Sequence, residues 1–255
     1  MQLTEIVYYP VKSMRGINAQ SALIRPEGMP HDREWLIATP EGMFLTARKL
    51  PQMLLWQATP HNDGLTLTAP DGSSRSVHTG DFTQNAEVAV WKDRFNACHG
   101  SPDTDTWLSQ QLGTACRLYY LGRQSRRLLS FSQTLLSFAD GAPYLLTSTA
   151  SLNELNSQLE TPVEMRRFRP NLVIDGNNPY EEDRWQRIRI GEVEFELFKP
   201  CTRCVMTTID LDNGRKHPHQ EPLATLAVTR NACFGMNMIA RNSGTVYLND
   251  EITLL

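Results

Sequence analysis

Short β-branched and aromatic runs, each closed by a Gly, Pro or Asp turn, constrain the fold of this chain more than any other feature. Ile6-Val7-Tyr8-Tyr9-Pro10-Val11, Ala22-Leu23-Ile24 and Trp35-Leu36-Ile37-Ala38 are such runs. Arg15-Gly16, Pro26-Glu27-Gly28 and Pro40-Glu41-Gly42 punctuate them. Leu65-Thr66-Leu67-Thr68-Ala69, followed by Pro70-Asp71-Gly72, reads as one hairpin arm and its turn. So many short strands at close spacing predict a sheet-rich barrel or sandwich. One helix is predicted over 104–112, with Asp103 as N-cap and Gly113 just past the end.

The polar, basic stretch 121–127 is the best candidate for a link. It divides the chain into 1–120 and 121–255. In the second part, 144–147 reads as a strand. The run 151–159 reads as a helix, because Leu152, Leu155 and Leu159 fall on one face. Leu172-Val173-Ile174 is a strand closed by Asp175-Gly176. Strands are also predicted over 187–190, 193–198 and 205–209. A closing hairpin is predicted from 244–248 and 251–254 around Asn249-Asp250. The sequence shows no solenoid or propeller repeat.

Bulk properties exclude several classes. Net charge is −3, so no global field points to nucleic acid or acidic membrane. Any anion site must be a local cluster of basic residues. There is no apolar run able to span a bilayer and no leading signal segment. Five cysteines in 255 residues do not make a disulfide scaffold, so a reducing cytoplasm is the expected compartment.

Two of those cysteines stand in Lys199-Pro200-Cys201-Thr202-Arg203-Cys204. The preceding Val193-Glu194-Phe195-Glu196-Leu197 alternates apolar and acidic residues, as a half-buried strand does. Pro200 lacks an N–H and is expected to end regular pairing. A thiol between Lys199 and Arg203 should lean toward thiolate, a nucleophile and soft-metal ligand. A thioredoxin-type dithiol needs a helix after the first cysteine, and the β-branched 205–209 disfavours one. Cys201, Cys204 and His217 match three ligand spacings of a zinc finger. His219 follows too soon, across Pro218, for a fourth ligand to converge. Cys116 and Cys233 read as small buried apolar residues.

Cations recur beside turns. Lys12-Ser13-Met14-Arg15-Gly16 ends a strand, His31-Asp32-Arg33 precedes one, and Thr46-Ala47-Arg48-Lys49 follows one. Arg166-Arg167-Phe168-Arg169-Pro170-Asn171 leads into another. Singly each is an ordinary solvated turn. If they converge, their guanidinium forks suit a phosphate.

Taken in order, these segments resemble a known family. Tyr9-Pro10-Val11-Lys12-Ser13, Asp32-Arg33-Glu34-Trp35-Leu36, Thr46-Ala47-Arg48 and 146–152 come first. Phe168-Arg169-Pro170-Asn171, Cys201-Thr202-Arg203-Cys204 with Thr207-Thr208, Glu221-Pro222-Leu223 and Phe234-Gly235-Met236-Asn237 follow. The chain is similar to MOSC-domain proteins that carry an N-terminal β-barrel domain. Among them it most resembles bacterial relatives of the mitochondrial amidoxime reducing component, and the likeness covers nearly its whole length.

The resemblance implies an α+β fold, mostly β: an N-terminal β-barrel-like domain plus a MOSC β-barrel with peripheral helices. It implies a molybdenum cofactor (Mo-molybdopterin) whose metal takes one protein cysteine, Cys204 by motif position, with Cys201 less essential. The cofactor's phosphate and pterin contacts carry over to Lys12, Ser13, Arg33, Asp140, Gly141, Arg169, Asn171, Thr202, Arg203 and Asn237. The implied chemistry is reduction of small N-hydroxylated substrates: amidoximes, hydroxylamines or N-hydroxylated base analogues. Some relatives carry a ferredoxin domain marked C-x4-C-x2-C, and this spacing is absent here. Electrons are therefore expected from a separate ferredoxin- or flavodoxin/reductase-type protein, with no nucleic-acid or membrane partner. Two other roles stay open: a sulfur carrier with a persulfide on Cys204, and a cofactor carrier without turnover.

Overall fold

The computed structural model describes residues 1–122 and 127–255. An eight-stranded sheet dominates it. The strands run, in spatial order, Ile252–Leu254, Arg187–Ile190, Val193–Thr202, Cys233–Ala240, Tyr144–Ser148, Leu172–Ile174, Leu3–Tyr8 and Ile17–Ala19. The first strands of the chain are thus bonded into a sheet built mainly by its second half. Trp35–Ala38, Arg117–Tyr120, Asp93–His99 and Gln84–Val90 form a four-stranded sheet. Gln57–His61, Gly64–Thr68 and Ser74–His78 form a three-stranded one. The molecule is α+β and mostly β, as the residue pattern implies.

Alternation placed the strands well. Val193, Phe195 and Leu197 are buried while Glu194 and Glu196 between them stay half-exposed. Burying Phe195 completely contributes about 1.5–3 kcal/mol. Tyr144–Ser148 is buried at every position. It runs parallel to Leu172–Ile174, and the connection includes helix α2, Thr149–Ser157. Leu152 and Leu155 of α2 pack with Val173, while Tyr144 and Leu146 join the opposite core. A parallel pair covered on both faces reads as a continuous apolar run for this reason. The Ser148 side chain caps α2 by accepting from the Ser151 N–H.

Several expectations are corrected. The Val193–Thr202 strand does not stop at Pro200. Its pairing with Cys233–Ala240 does turn irregular there, with register shifts at Leu197/Lys199 and Pro200/Thr202 on either side of Pro200. Residues 205–209 are not a strand: Val205–Thr208 is one 3-10 turn. The Thr207 and Thr208 hydroxyls donate to the carbonyls three residues back, which favours that turn over a ladder. The C-terminal hairpin is absent. Gly244–Tyr247 pairs with Ser21–Ile24 and Ile252–Leu254 with Arg187–Ile190, Asn249 taking a left-handed φ of 70° between them.

Helix α1, Pro102–Leu112, begins two residues early, with Ser101 in the cap position that Asp103 was expected to hold. Proline is suited to the first turn because its missing N–H would be unpaired there. Gly113 closes α1 at φ 67°. Trp107, Leu108 and Leu112 of α1 enter the core with Trp56. The expected link at 121–127 falls largely on residues 123–126, outside the described residues. Arg127 itself is buried and ion-paired with Asp93. Cys116 is buried, but Cys233 is half-exposed, its sulfur 3.8 Å from Thr202 Oγ1. No helix among the described residues is long and apolar enough to cross a membrane.

Candidate functional site

The chain brings its scattered turns to one cavity of about 440 Å³. Lys12, Ser13, Arg33, Asp140, Gly141, Arg169, Asn171, Thr202, Arg203, Cys204 and Asn237 all line it. Seven Lys or Arg residues and a single carboxylate, Asp140, face this space, in a chain of net charge −3. Such local excess marks an anion site.

Two guanidinium groups meet on one phenol. Arg33 and Arg169 lie 4.3 and 4.1 Å from the centre of the Tyr9 ring. The Tyr9 hydroxyl donates to the Pro170 carbonyl at 2.9 Å. Burial pushes that phenol up to about 12, against the pull of the two arginines. Arg33 Nη1 donates to Asp32 Oδ2 at 2.5 Å and to Asn171 Oδ1 at 3.0 Å. Arg169 Nη1 donates to the Met14 carbonyl at 2.6 Å, and burial lowers its guanidinium to about 10. Cations gathered this closely in low dielectric repel one another, so an anion in the cavity would be favoured.

The backbone is strained at this place. Ser13, Arg33 and Arg169 all adopt left-handed φ, at 70°, 53° and 54°. Residues with a Cβ avoid this region, and each such conformation costs of order 1–3 kcal/mol. Surrounding contacts hold them: Arg33 N–H donates to the Tyr9 carbonyl at 2.7 Å, and Arg169 N–H to that of Arg166.

Lys12 is buried, its ammonium donating to Asp140 at 2.5 Å and to the Phe138 carbonyl at 2.6 Å. Burial lowers it to about 8, the Asp140 charge opposing that fall. For Asp140, desolvation works upward. Lys12, Arg48 and the Trp91 indole N–H overcome it and hold the carboxyl well below the usual range. Arg127 clamps this loop, donating to the carbonyls of Ser137, Ala139 and Asp140.

Cys201 and Cys204 both line the cavity, in different states. Arg203 Nη1 donates to Cys201 Sγ at 2.9 Å. Among the described residues Cys204 Sγ takes no hydrogen bond. Cys204 is half-exposed and precedes the 3-10 turn, its carbonyl accepting from Thr207. The cation expected beside the ligand thiol therefore sits on the other cysteine. Among the described residues the buried Arg203 Nε has no hydrogen-bond partner.

Some cavity residues were not assigned from sequence. Trp91 stacks under Arg48 at 4.5 Å and bonds Asp140. It occupies a hairpin tip at φ 58°, and nothing in the local sequence says where that tip points. Arg48 and Arg167 were visible as basic turn residues, but no spacing tied them to Cys204. Asn171 was read as a cofactor contact. Its amide holds Arg33, the Leu145 N–H and the Val7 carbonyl, so it orients the wall.

The donor set fits a phosphate-bearing, sulfur-ligated metal group. It offers forked guanidinium donors, a half-exposed thiol free of hydrogen bonds and a cationic lining.

Comparison with known proteins agrees in order and extent. Residues 1–115 match the MOSC N-terminal beta barrel domain and residues 133–253 the MOSC domain. The mitochondrial amidoxime-reducing component 1 of Mus musculus is 32% identical, over 99% of this chain and 82% of its own length. That of Homo sapiens is 31% identical over the same shares. The molybdenum cofactor sulfurase of Oryza sativa subsp. japonica is 32% identical over 90% of this chain, which spans only 31% of that protein.

Proposed function

We propose, from the premise that this chain belongs to the family of MOSC-domain proteins with a MOSC N-terminal β-barrel domain, that it is a molybdenum-cofactor-dependent reductase of N-hydroxylated compounds. The observation that carries this reading is one hydrogen-bond-free thiol, Cys204, opening on a cavity lined by seven cations and one carboxylate. Relatives named for amidoxime reduction support the substrate class.

When bound, a molybdenum–dithiolene group supplies reversible redox chemistry and an acceptor for oxygen. Cys204 is the residue that would ligate the metal through sulfur. Arg33, Arg169 and Arg203 would hold the cofactor's anionic end, their guanidinium planes fixed by Tyr9 and Phe168. Lys12 stays protonated below about pH 8 and adds a charge to the wall, locked by Asp140. Ser13, Gly141, Thr202 and Asn237 would contact the pterin.

Net reduction breaks the substrate N–O bond. Two electrons and two protons enter, and amine plus water leave. No C-x4-C-x2-C cluster motif occurs in these 255 residues, so on this reading the electrons come from a centre outside them.

The test is metal and pterin analysis of protein made in a cofactor-competent host, with benzamidoxime or hydroxylamine reduction by a reduced viologen dye. About one molybdenum per chain together with turnover supports the proposal. Cofactor bound without turnover points to a carrier instead. Cyanide-releasable sulfur on Cys204 without molybdenum points to sulfur transfer, as in the sulfurase relative. Either result overturns the reductase.

A further inference from the structure

A second cluster of ligand-type side chains lies on the three-stranded sheet, and none of its members lines the cofactor cavity. Gly64, on the middle strand, faces His61 on one neighbour and His78 on the other. The next residue, Leu65, pairs with Val77 inside the core. By alternation, Gly64 and the two histidines share the outer face. That face is polar further along, where Thr66 and Ser76 exchange a hydrogen bond at 2.8 Å.

The missing side chain at Gly64 makes the approach possible. A Cβ there would stand 2.8 Å from the His61 ring and 1.9 Å from the Val77 carbonyl oxygen. With hydrogen in its place, the two imidazoles reach a centroid separation of 5.5 Å. Asp63, one residue earlier in the turn, puts its carboxylate between them. His61 Nδ1 lies 3.0 Å from one carboxylate oxygen and His78 Nδ1 lies 3.0 Å from the other. Thr79 anchors the turn by donating its N–H and its hydroxyl to the Asp63 carbonyl, at 2.7 and 3.1 Å. One ligand atom from each of the three residues lies within 4.8 Å of the others. Among the described residues this is the one such group.

We propose that His61, Asp63 and His78 bind a divalent transition cation such as zinc(II) on the outer face of this sheet. Two imidazole nitrogens and one carboxylate oxygen suit zinc, nickel, cobalt or copper, and not the all-oxygen preference of calcium or magnesium. Zinc bonds of about 2.1 Å arranged tetrahedrally separate neighbouring ligand atoms by roughly 3.4 Å. The 3.0 Å nitrogen–oxygen separations here need only small side-chain rotations to reach that. Three protein ligands at a solvent-facing position leave the fourth to water. To bind the metal each Nδ1 must offer its lone pair, so the ring proton of each neutral imidazole then sits on Nε2.

The experiment is a cobalt(II) titration of the complete chain, with any histidine tag removed, followed by visible and near-ultraviolet absorption and repeated with zinc by calorimetry. One cobalt per chain is expected, with d–d bands and no sulfur-to-metal charge-transfer band. His78→Gln and Asp63→Asn should each weaken binding beyond the about 10–100-fold that losing an outer-shell partner costs. Circular dichroism of both variants without metal should match the parent, since both side chains are exposed. The proposal is overturned if the parent binds neither metal, as it would if the three residues only exchange hydrogen bonds. A thiolate band, or unchanged affinity in both variants, overturns it too.

Discussion

Arg203 donates to the sulfur of Cys201 at 2.9 Å, and so engages one cysteine of the pair while leaving Cys204 open to the cavity. The two thiols are three residues apart in sequence and chemically unlike in space.

This difference sets the first prediction. Cys204→Ser should remove molybdenum retention and reductase turnover. Cys201→Ser should keep most of both, because Arg203 retains its bond to the Phe168 carbonyl. Molybdenum content per chain checks this, and the opposite ranking would show that the ligand is Cys201.

The stack of Arg33 and Arg169 on Tyr9 predicts a structural penalty as well as a functional one. Tyr9→Leu removes two desolvated cation–π contacts and the hydroxyl bond to Pro170, together worth about 3 kcal/mol. Urea unfolding should show a loss of that order. A change under about 0.5 kcal/mol would mean the ring is a passive spacer.

Anion retention should depend on pH through Lys12. Burial lowers its ammonium to about 8 in the folded chain, below the usual lysine value, so the proton leaves as pH rises through that point. Inorganic phosphate affinity should therefore fall between about pH 7 and pH 9. In Lys12→Arg the guanidinium stays charged, and the fall should vanish. A parent curve that is flat over the same range would remove Lys12 from the cradle.

Glu182 predicts a pH effect on stability. It is fully buried behind α2, bonded through one oxygen to the Ser151 hydroxyl and unpartnered at the other. Burial pushes it up to about 7 from the ordinary 4.5. The folded chain then holds a proton that the unfolded chain releases, so stability falls as pH rises from about 4.5 through 7, by up to about 3 kcal/mol. Glu182→Gln should flatten that slope in denaturant unfolding at pH 5 and pH 8. The same slope in both proteins would assign it to other groups.

The strands at 35–38, 172–174, 187–190 and 193–197 were legible because each follows a rule written within a few residues: alternation, or an apolar run with a turn behind it. The errors came where a competing local hydrogen bond or a distant partner strand overrode strand propensity. Thr207 and Thr208 carry strand propensity, yet their hydroxyls close a 3-10 turn under Cys204. The two C-terminal runs look like a hairpin, yet each finds its partner far back in the chain. Asp140 and Gly141 were placed by likeness alone; what holds them, the buried guanidinium of Arg127, carries no local mark.

The division of the chain near residue 120 remains a proposal. The strands Leu3–Tyr8 and Ile17–Ala19 join the sheet of the second half, whereas the family matches divide between 115 and 133.

The amino-acid order alone determined the β-rich class and the family motifs, including a cysteine pair flanked by cations, because periodicity and motif spacing are properties of neighbours along the chain. Only the tertiary structure decided which cysteine Arg203 engages, that Arg33 and Arg169 meet on Tyr9, and that Gly64 lets His61 reach Asp63 beside His78. Those facts depend on where side chains are placed by strand register and close packing, which local preference does not specify.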